Sequence, residues 1–307
     1  MNEEKILELI KGIIGKDYIG DDVAFIKEGD KYLLVTVDCA VEGRHFLYRW
    51  DTYLVGWKIV SANVSDITAK GGKPKYLLVS LGLRKSEEDF IKNLYRGMAD
   101  ACNYYGCIIV GGNLSYSPNT FIDVFLLGEA KRKVERGTGN VDEGVFLYGN
   151  LGVSRAGLEV MLGKHKIINE ELKNKLIMYH FKPETAFNIA DHILNNASSS
   201  IDISDGLIID LYRMVKAGNY GIELFKEALY KIIKPELFEY CKYLGTNPID
   251  YVLYGGEDYA VVFTQDMKLP APEGASLIGR IIEKEGVYLE GKPLPIKGFD
   301  HFSGLVP

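Results

Sequence analysis

The sequence predicts an α/β protein built as two mixed domains, and three observations carry that expectation. Short β-rich runs alternate with longer segments of helical period along the whole chain. A charged, glycine-containing stretch from Lys131 to Gly144 with little periodicity interrupts the alternation near the middle. A length of 307 residues suits one large domain or two ordinary ones. The expected division is therefore residues 1–137 and 138–307.

The elements follow in order. Residues 3–14 place Ile6, Leu7, Ile10, Ile13 and Ile14 at helical spacing. Tyr32 to Val37 is a β-rich run ending at Asp38. Asp51 to Lys70 reads as a helix with an apolar stripe of Trp57, Val60, Val64 and Ile67. It is stopped by Gly71-Gly72, with Pro74 just beyond. Asn63, Asp66 and Lys70 form a neighbouring polar stripe. Lys75 to Leu83 is a strand. A helix from Ser86, as N-cap, to about Tyr105 has acids in its first turn. Cys107 to Val110 and Thr120 to Glu129 are strands. Beyond the boundary, 145–148 is a strand, and 154–162, 170–180 and 184–196 are helices. Ser199 to Ile203 is a strand leading into a helix at 207–217. Another helix starts at Pro235 and runs to Leu244. Asp258 to Thr264 and Ser276 to Tyr288 complete the strands.

Composition narrows the function classes. A hydrophobic fraction of 47% supports a substantial core, and a formal charge of −6 argues against a general nucleic-acid surface. No apolar run is long enough to span a bilayer, and the acidic start Met1-Asn2-Glu3-Glu4 does not read as a secretory signal. Cys39, Cys102, Cys107 and Cys241 form no CxxC pair, so reduced, mostly buried thiols in a cytoplasmic protein are expected.

The chemistry is carried by acids placed beside glycines at element ends. They read Gly20-Asp21-Asp22, Thr36-Val37-Asp38, Asn63-Val64-Ser65-Asp66, Asp202-Ile203-Ser204-Asp205-Gly206 and Gly255-Gly256-Glu257-Asp258. A carboxylate on flexible backbone is a hard oxygen ligand suited to Mg²⁺ and to phosphates carried on it. Each motif also has an ordinary explanation. Gly20-Asp22 and Thr36-Asp38 fit turns, Asp66 with Lys70 fits a surface ion pair, and Ser204 or Asp205 fits an N-cap. Against these, Thr36 and Asp38 alternate to one face of a strand, and Asp202 with Asp205 exceeds what a cap requires. Gly111-Gly112-Asn113 follows an apolar strand. His45 lies in Glu42-Gly43-Arg44-His45-Phe46, where anion binding competes with a structural role. The chain has no GxxxxGK[ST] loop, no GxGxxG after a strand, no HExxH and no GxSxG.

Taken together, GDDxA at 20–24, TxD at 36–38, EGxHF at 42–46, NVSD at 63–66, SRAGL at 154–158, DISDGL at 202–207, GGEDY at 255–259 and GFDHF at 298–302 resemble the thiamine-monophosphate kinase family, in order over nearly the whole chain. The resemblance implies an aminoimidazole ribonucleotide synthetase-like fold whose N-terminal domain binds ATP and Mg²⁺ and dimerises through strands into a β-barrel. It implies that Asp22, Thr36, Val37, Asp38, Asp66, Asn113, Asp202 and Asp205 hold several Mg²⁺ ions. It implies that Tyr95, Gly112, Asn113, Arg136 and Ser204 contact ATP, and that His45, Glu257 and Phe299 contact thiamine monophosphate. Asp66, Asp205 and Arg136 would act on the transferring phosphoryl group. The family commonly carries GGD where this chain has Gly111-Gly112-Asn113, so one charge is missing. Phe299 stands where Trp or Tyr is frequent, which keeps stacking without a ring hydrogen bond.

Overall fold

The computed structural model describes residues 3–15, 19–164 and 169–299, so Asp300, His301 and Phe302 of the last motif lie outside the described residues. Two compact units divide the chain. One takes the chain up to Thr68 together with Gly72–Lys133, and the other takes Ala69–Gly71 and Val134–Phe299.

The first unit runs α1 (Glu3–Ile14), β1 (Ala24–Glu28), β2 (Lys31–Val41), α2 (Thr52–Ala69), β3 (Lys73–Leu83), α3 (Glu88–Tyr105), β4 (Ile108–Tyr116) and β5 (Phe121–Ala130). Its five strands form an open sheet in the order β1-β2-β5-β3-β4, in which only β3 and β4 are parallel. Strict alternation sorts the two faces. Leu34, Leu77, Val79, Leu81, Ile122, Val124 and Leu126 are buried on one. The other leaves Val37, Tyr76 and Leu78 exposed, as are Ile108, Val110, Leu114 and Tyr116 on the edge strand β4. The sheet does not close into a barrel within the chain.

Helix α2 is buried nearly all round, more than its apolar stripe foretold. Its interior polar groups turn back on the helix: Asn63 Nδ2 donates to the Ile59 carbonyl at 2.9 Å and Thr68 Oγ1 to the Val64 carbonyl at 2.8 Å. Close packing against α3 depends on two glycines, since a Cβ on Gly56 would strike the Leu94 carbonyl and one on Gly97 the Tyr53 carbonyl. The expected cap Ser86 is displaced by one residue. Glu87 takes the N-cap position and makes no side-chain cap bond.

The second unit runs β6 (Gly144–Tyr148), α4 (Val153–Met161), α5 (Glu170–Phe181), a 3₁₀ turn (Ala186–Ile189), α6 (Ala190–Asn196), β7 (Ser199–Ile203), α7 (Leu207–Gly218), β8 (Gly221–Leu224), α8 (Lys226–Lys231), α9 (Pro235–Leu244), α10 (Pro248–Tyr254), β9 (Ala260–Gln265), β10 (Ser276–Ile282), β11 (Gly286–Leu289) and β12 (Lys292–Pro293). The sheet order is β12-β11-β8-β10-β6-β9-β7. Every residue of β6, β7 and β9 is buried, because both faces are covered. Ile201, Ile203 and Val262 join a core with Leu211, Met214 and Leu253, while Phe146, Val261 and Phe263 join a second one with Ile189 and Ile193.

The single strand expected at 276–288 is two. The chain turns at 283–285, so β10 lies antiparallel on one side of β8 and β11 parallel on the other. The helix expected at 184–196 opens with the 3₁₀ turn, and β1, β8, α8, α10 and β12 are additions to the expected elements.

Candidate functional site

In the first unit, β2 and α2 bring two of the predicted ligands into contact. Buried Thr36 donates from Oγ1 to Asp66 Oδ2 at 2.5 Å. Asp38 shares the helix-covered face with Thr36 by alternation, whereas the Val37 side chain is 62% exposed on the opposite face. From that position Val37 can present only its backbone to the acidic side. Asp22 lies two residues ahead of Ala24, the β1 partner of Val35, and so falls at the Thr36–Asp38 end of that hairpin. Its N–H donates to Asp21 Oδ1 at 2.9 Å.

Asn113 stands apart from this group. Register aligns Asn113 with Ser80, Ser80 with Asp123 and Asp123 with Cys39, and Cys39 is three residues beyond Thr36. That row belongs to the open face, so one copy of the sheet shows Asn113 on the side away from Thr36 and Asp38. Beside it, Gly112 is required: a Cβ would collide with the Val79 carbonyl of β3. Cys39 is exposed on the open face, and partial desolvation by its neighbours together with its hydrogen bond to Asp123 raises the thiol to about 12.

His45 sits in a loop closed on itself. The Val41 N–H donates to His45 Nδ1 at 3.0 Å while the Val41 carbonyl accepts from the His45 N–H at 2.9 Å. Nδ1 is thus the acceptor, and the neutral ring carries its proton on Nε2. Arg84 steadies this loop from β3's end, with Nε 3.2 Å from Glu42 Oε2 and its guanidinium 4.1 Å from the Tyr48 ring centre. Tyr95 is half-buried on α3, and burial raises its hydroxyl.

In the second unit, three loops converge through their backbones. The Glu257 N–H donates to the Ser204 carbonyl at 2.6 Å, the Tyr259 N–H to the Ile203 carbonyl at 2.8 Å and the Phe299 N–H to the Asp205 carbonyl at 3.1 Å. Ser204, Asp205, Glu257 and Phe299 therefore share one locality, at the end of buried β7, which also carries Asp202. Glu257 and Tyr259 both adopt left-handed backbone, at φ 61° and 51°. Each such residue costs on the order of 1 kcal/mol, which the surrounding bonds must offset.

The turn at 204–206 is held by Asp210, a residue the sequence reading missed. Its Oδ2 accepts from the N–H groups of Ser204 at 3.1 Å, Asp205 at 3.0 Å and Gly206 at 3.2 Å. Gly206, with no side chain, is the N-cap of α7, so neither Ser204 nor Asp205 caps it. The N–H nest at this helix start thus holds an internal carboxylate where a bare helix end would attract phosphate. Arg213 NH1 reaches Asp210 Oδ1 and Asp205 Oδ2, both at 2.6 Å. Burial and the Asp205 charge push the Asp210 carboxyl up to about 7, against the pull of Arg213, the Asp205 N–H and Arg136. The pull of Arg136 puts that predicted ATP contact within electrostatic reach of the same turn.

Three further supports have roles that the motifs did not indicate. Asp258 is 3% exposed and caps α4, with Oδ2 accepting from the Gly152 N–H at 2.8 Å and Oδ1 from the Ser154 N–H at 3.2 Å. Glu159 takes hydrogen bonds from the Tyr240 and Tyr251 hydroxyls at 3.0 and 2.8 Å and from Arg155 Nε at 3.1 Å. Behind Glu257, wholly buried His180 places Nδ1 3.0 Å from Ser154 Oγ and 3.9 Å from Glu257 Oε2. Apart from Arg155 and Glu159, at i and i+4 of α4, spacing gave no signal for these pairings, which join separate elements.

Among the described residues, no three His, Cys, Asp or Glu side chains stand close enough to hold a metal ion by themselves. The donors offered are hard oxygens, the aspartates of both units and the Thr36 hydroxyl, and their chemistry fits Mg²⁺ better than a softer ion.

An open mixed sheet with a βαβ crossover, carrying acids at its strand and helix ends, defines the class: residues 20–130 match the AIR synthase related protein, N-terminal domain. The similarity extends well past that segment. Thiamine-monophosphate kinase of Aquifex aeolicus (strain VF5) is 40% identical over 304 residues, covering 98% of each chain. The solved structure of AaThiL complexed with AMPPCP and TMP superposes with a TM-score of 0.93 at 39% identity, over 98% of this chain and 97% of that one. The hydrogenase maturation protein HypE in complex with ATP shares the fold alone, with a TM-score of 0.68 at 15% identity, over 94% of this chain and 89% of that one. The chain belongs to the thiamine-monophosphate kinase family.

Proposed function

We propose that this chain is a thiamine-phosphate kinase, transferring the γ-phosphoryl group of ATP to thiamine monophosphate to give thiamine diphosphate and ADP. The observation that carries the reading is the backbone-linked cluster of Ser204, Asp205, Glu257 and Phe299, in a chain 39% identical to a relative solved with AMPPCP and TMP. An aromatic face and a carboxylate both suit the thiazolium cation, and His45 Nε2–H suits its phosphate.

The acceptor is a phosphate oxygen largely ionised at neutral pH, so no general base is needed. The obstacle is repulsion between two anions. Bound Mg²⁺ supplies the neutralising charge for both. Asp22, Thr36, the Val37 backbone, Asp38, Asp66, Asp202 and Asp205 would hold the ions, and Asn113, on the open face, would offer its neutral carbonyl oxygen to an ion shared with a second copy. Arg136, with Tyr95, Gly112 and Ser204, would receive the nucleotide. Direct in-line transfer follows, with no covalent enzyme intermediate.

The same reading assigns nucleotide binding and self-association to residues 1–137 and places the enzyme in the cytoplasm as a homodimer. The open face with Val37, Tyr76 and Leu78, together with the uncovered edge of β4, supports pairing with a second copy. A barrel would need that second sheet. No nucleic-acid or membrane partner is expected, and no described helix is long and apolar enough to cross a membrane.

Incubation with labelled ATP, Mg²⁺ and thiamine monophosphate tests the proposal. Labelled thiamine diphosphate is the expected product. ATP turnover with a cyclised or otherwise ligated acceptor would assign the chain to another reaction of this fold.

A further inference from the structure

Arg213 lies on α7 one turn beyond Asp210, and a single nitrogen, NH1, bridges Asp210 Oδ1 and Asp205 Oδ2 at 2.6 Å each. The two carboxylates differ in freedom. The Asp210 side chain is 1% exposed, and its other oxygen is committed to three backbone N–H groups. The Asp205 and Arg213 side chains are 17% and 31% exposed. The guanidinium is therefore anchored at its buried end, and its outer contact is the carboxylate that the proposed function gives to a divalent cation.

A guanidinium and a divalent ion sharing one carboxylate repel each other. Across one side chain in a water-rich setting, that repulsion is worth roughly a tenfold change in affinity. A nucleotide polyphosphate brings the negative charge that offsets it.

We propose that Arg213 is the resident counter-charge of Asp205, which weakens divalent-cation binding by the nucleotide-free protein and makes cation loading contingent on nucleotide. Arg213 is on this account a positioning residue, held in place by Asp210, and the account rests on Asp205 being a cation ligand. Arg136 also lowers the Asp210 carboxyl electrostatically and is not itself altered in the variants below.

Mn²⁺ binding to the full chain, followed by electron paramagnetic resonance without nucleotide, tests the proposal. Arg213→Gln should tighten Mn²⁺ binding roughly tenfold, Arg213→Lys should stay near the parent, and saturating AMPPCP should shrink the difference between Gln and Arg. Structural damage weakens binding, so tightening has no such source, and Arg213→Met gives the same reading should the Gln variant not fold. Unchanged or weaker Mn²⁺ binding in Arg213→Gln and Arg213→Met, with Asp205→Asn weakened, would overturn the proposal. Unchanged binding in Asp205→Asn would overturn the cation-ligand reading beneath it, and this inference with it.

Discussion

The proposed function gives Glu257 to the substrate while its neighbour Asp258 holds the start of α4, and substituting Asp258 separates the two. Its carboxylate is buried and takes two N–H bonds at the start of α4, at 2.8 and 3.2 Å. Charge-assisted hydrogen bonds contribute about 1.5–3 kcal/mol each, and a favourable helix-end charge adds up to about 2 kcal/mol. Desolvation of the carboxylate offsets part of this. A net loss of about 2–4 kcal/mol is expected for Asp258→Ala. A unit of this size shifts by about 3 °C per kcal/mol, so the melting transition should fall by about 6–12 °C. Differential scanning calorimetry reads the shift. Below the transition the variant should keep a KM for thiamine monophosphate near the parent's. Glu257→Gln should do the reverse, with a melting point within about 2 °C of the parent and a KM raised roughly tenfold or more, the effect of losing one charged contact. A shift under about 2 °C for Asp258→Ala would refute the capping argument, since surface substitutions reach that much.

Other substitutions test separate parts of the molecule. Asp66→Asn and Asp205→Asn should abolish phosphoryl transfer while leaving the far-ultraviolet circular dichroism spectrum intact; normal turnover in both would remove the acidic groups from the reaction. Gly97→Ala drives a Cβ into the Tyr53 carbonyl and should cost about 1–3 kcal/mol in urea unfolding; an unchanged midpoint would show that α2 and α3 separate freely. Val37→Lys places a charge on the open sheet face and should lower the sedimentation mass from two copies to one. An unaltered mass would move the interface elsewhere.

Much of this architecture is legible in the sequence where one element buries a regular stripe. The alternation at Lys31–Val41 and Phe121–Ala130 and the helical spacing of α3 are of that kind. The missed elements are those whose reason is tertiary. Strand β8 has four residues, and its place comes from β10 and β11 on either side. Helix α10 did carry a local sign, Asn247 accepting from the Ile249 N–H with Pro248 at the first turn. At the candidate site, the acidic motifs were visible because carboxylates beside glycines are unusual in number. Asp210, His180 and the capping role of Asp258 were not, because a buried carboxylate or imidazole is defined by the groups facing it. Asn113 shows the limit most clearly: the family resemblance counted it with the acids, and only strand register reveals which side of the sheet it occupies.

The pairing order of the second sheet constrains how the molecule is made. Strand β7 pairs only with β9; β6 pairs with β9 and β10; β8 pairs with β10 and β11. A nascent chain that has emerged as far as Tyr259 therefore holds three strands of this second sheet, β6, β7 and β8, with not one ladder among them. Strand β6, and β7 with its buried Ile201 and Ile203, must wait, sheltered by helices or chaperones, until β9 and β10 at residues 260–282 leave the ribosome. Ribosome stalling or premature termination late in the message would release chains with three orphan strands, the species most prone to clump.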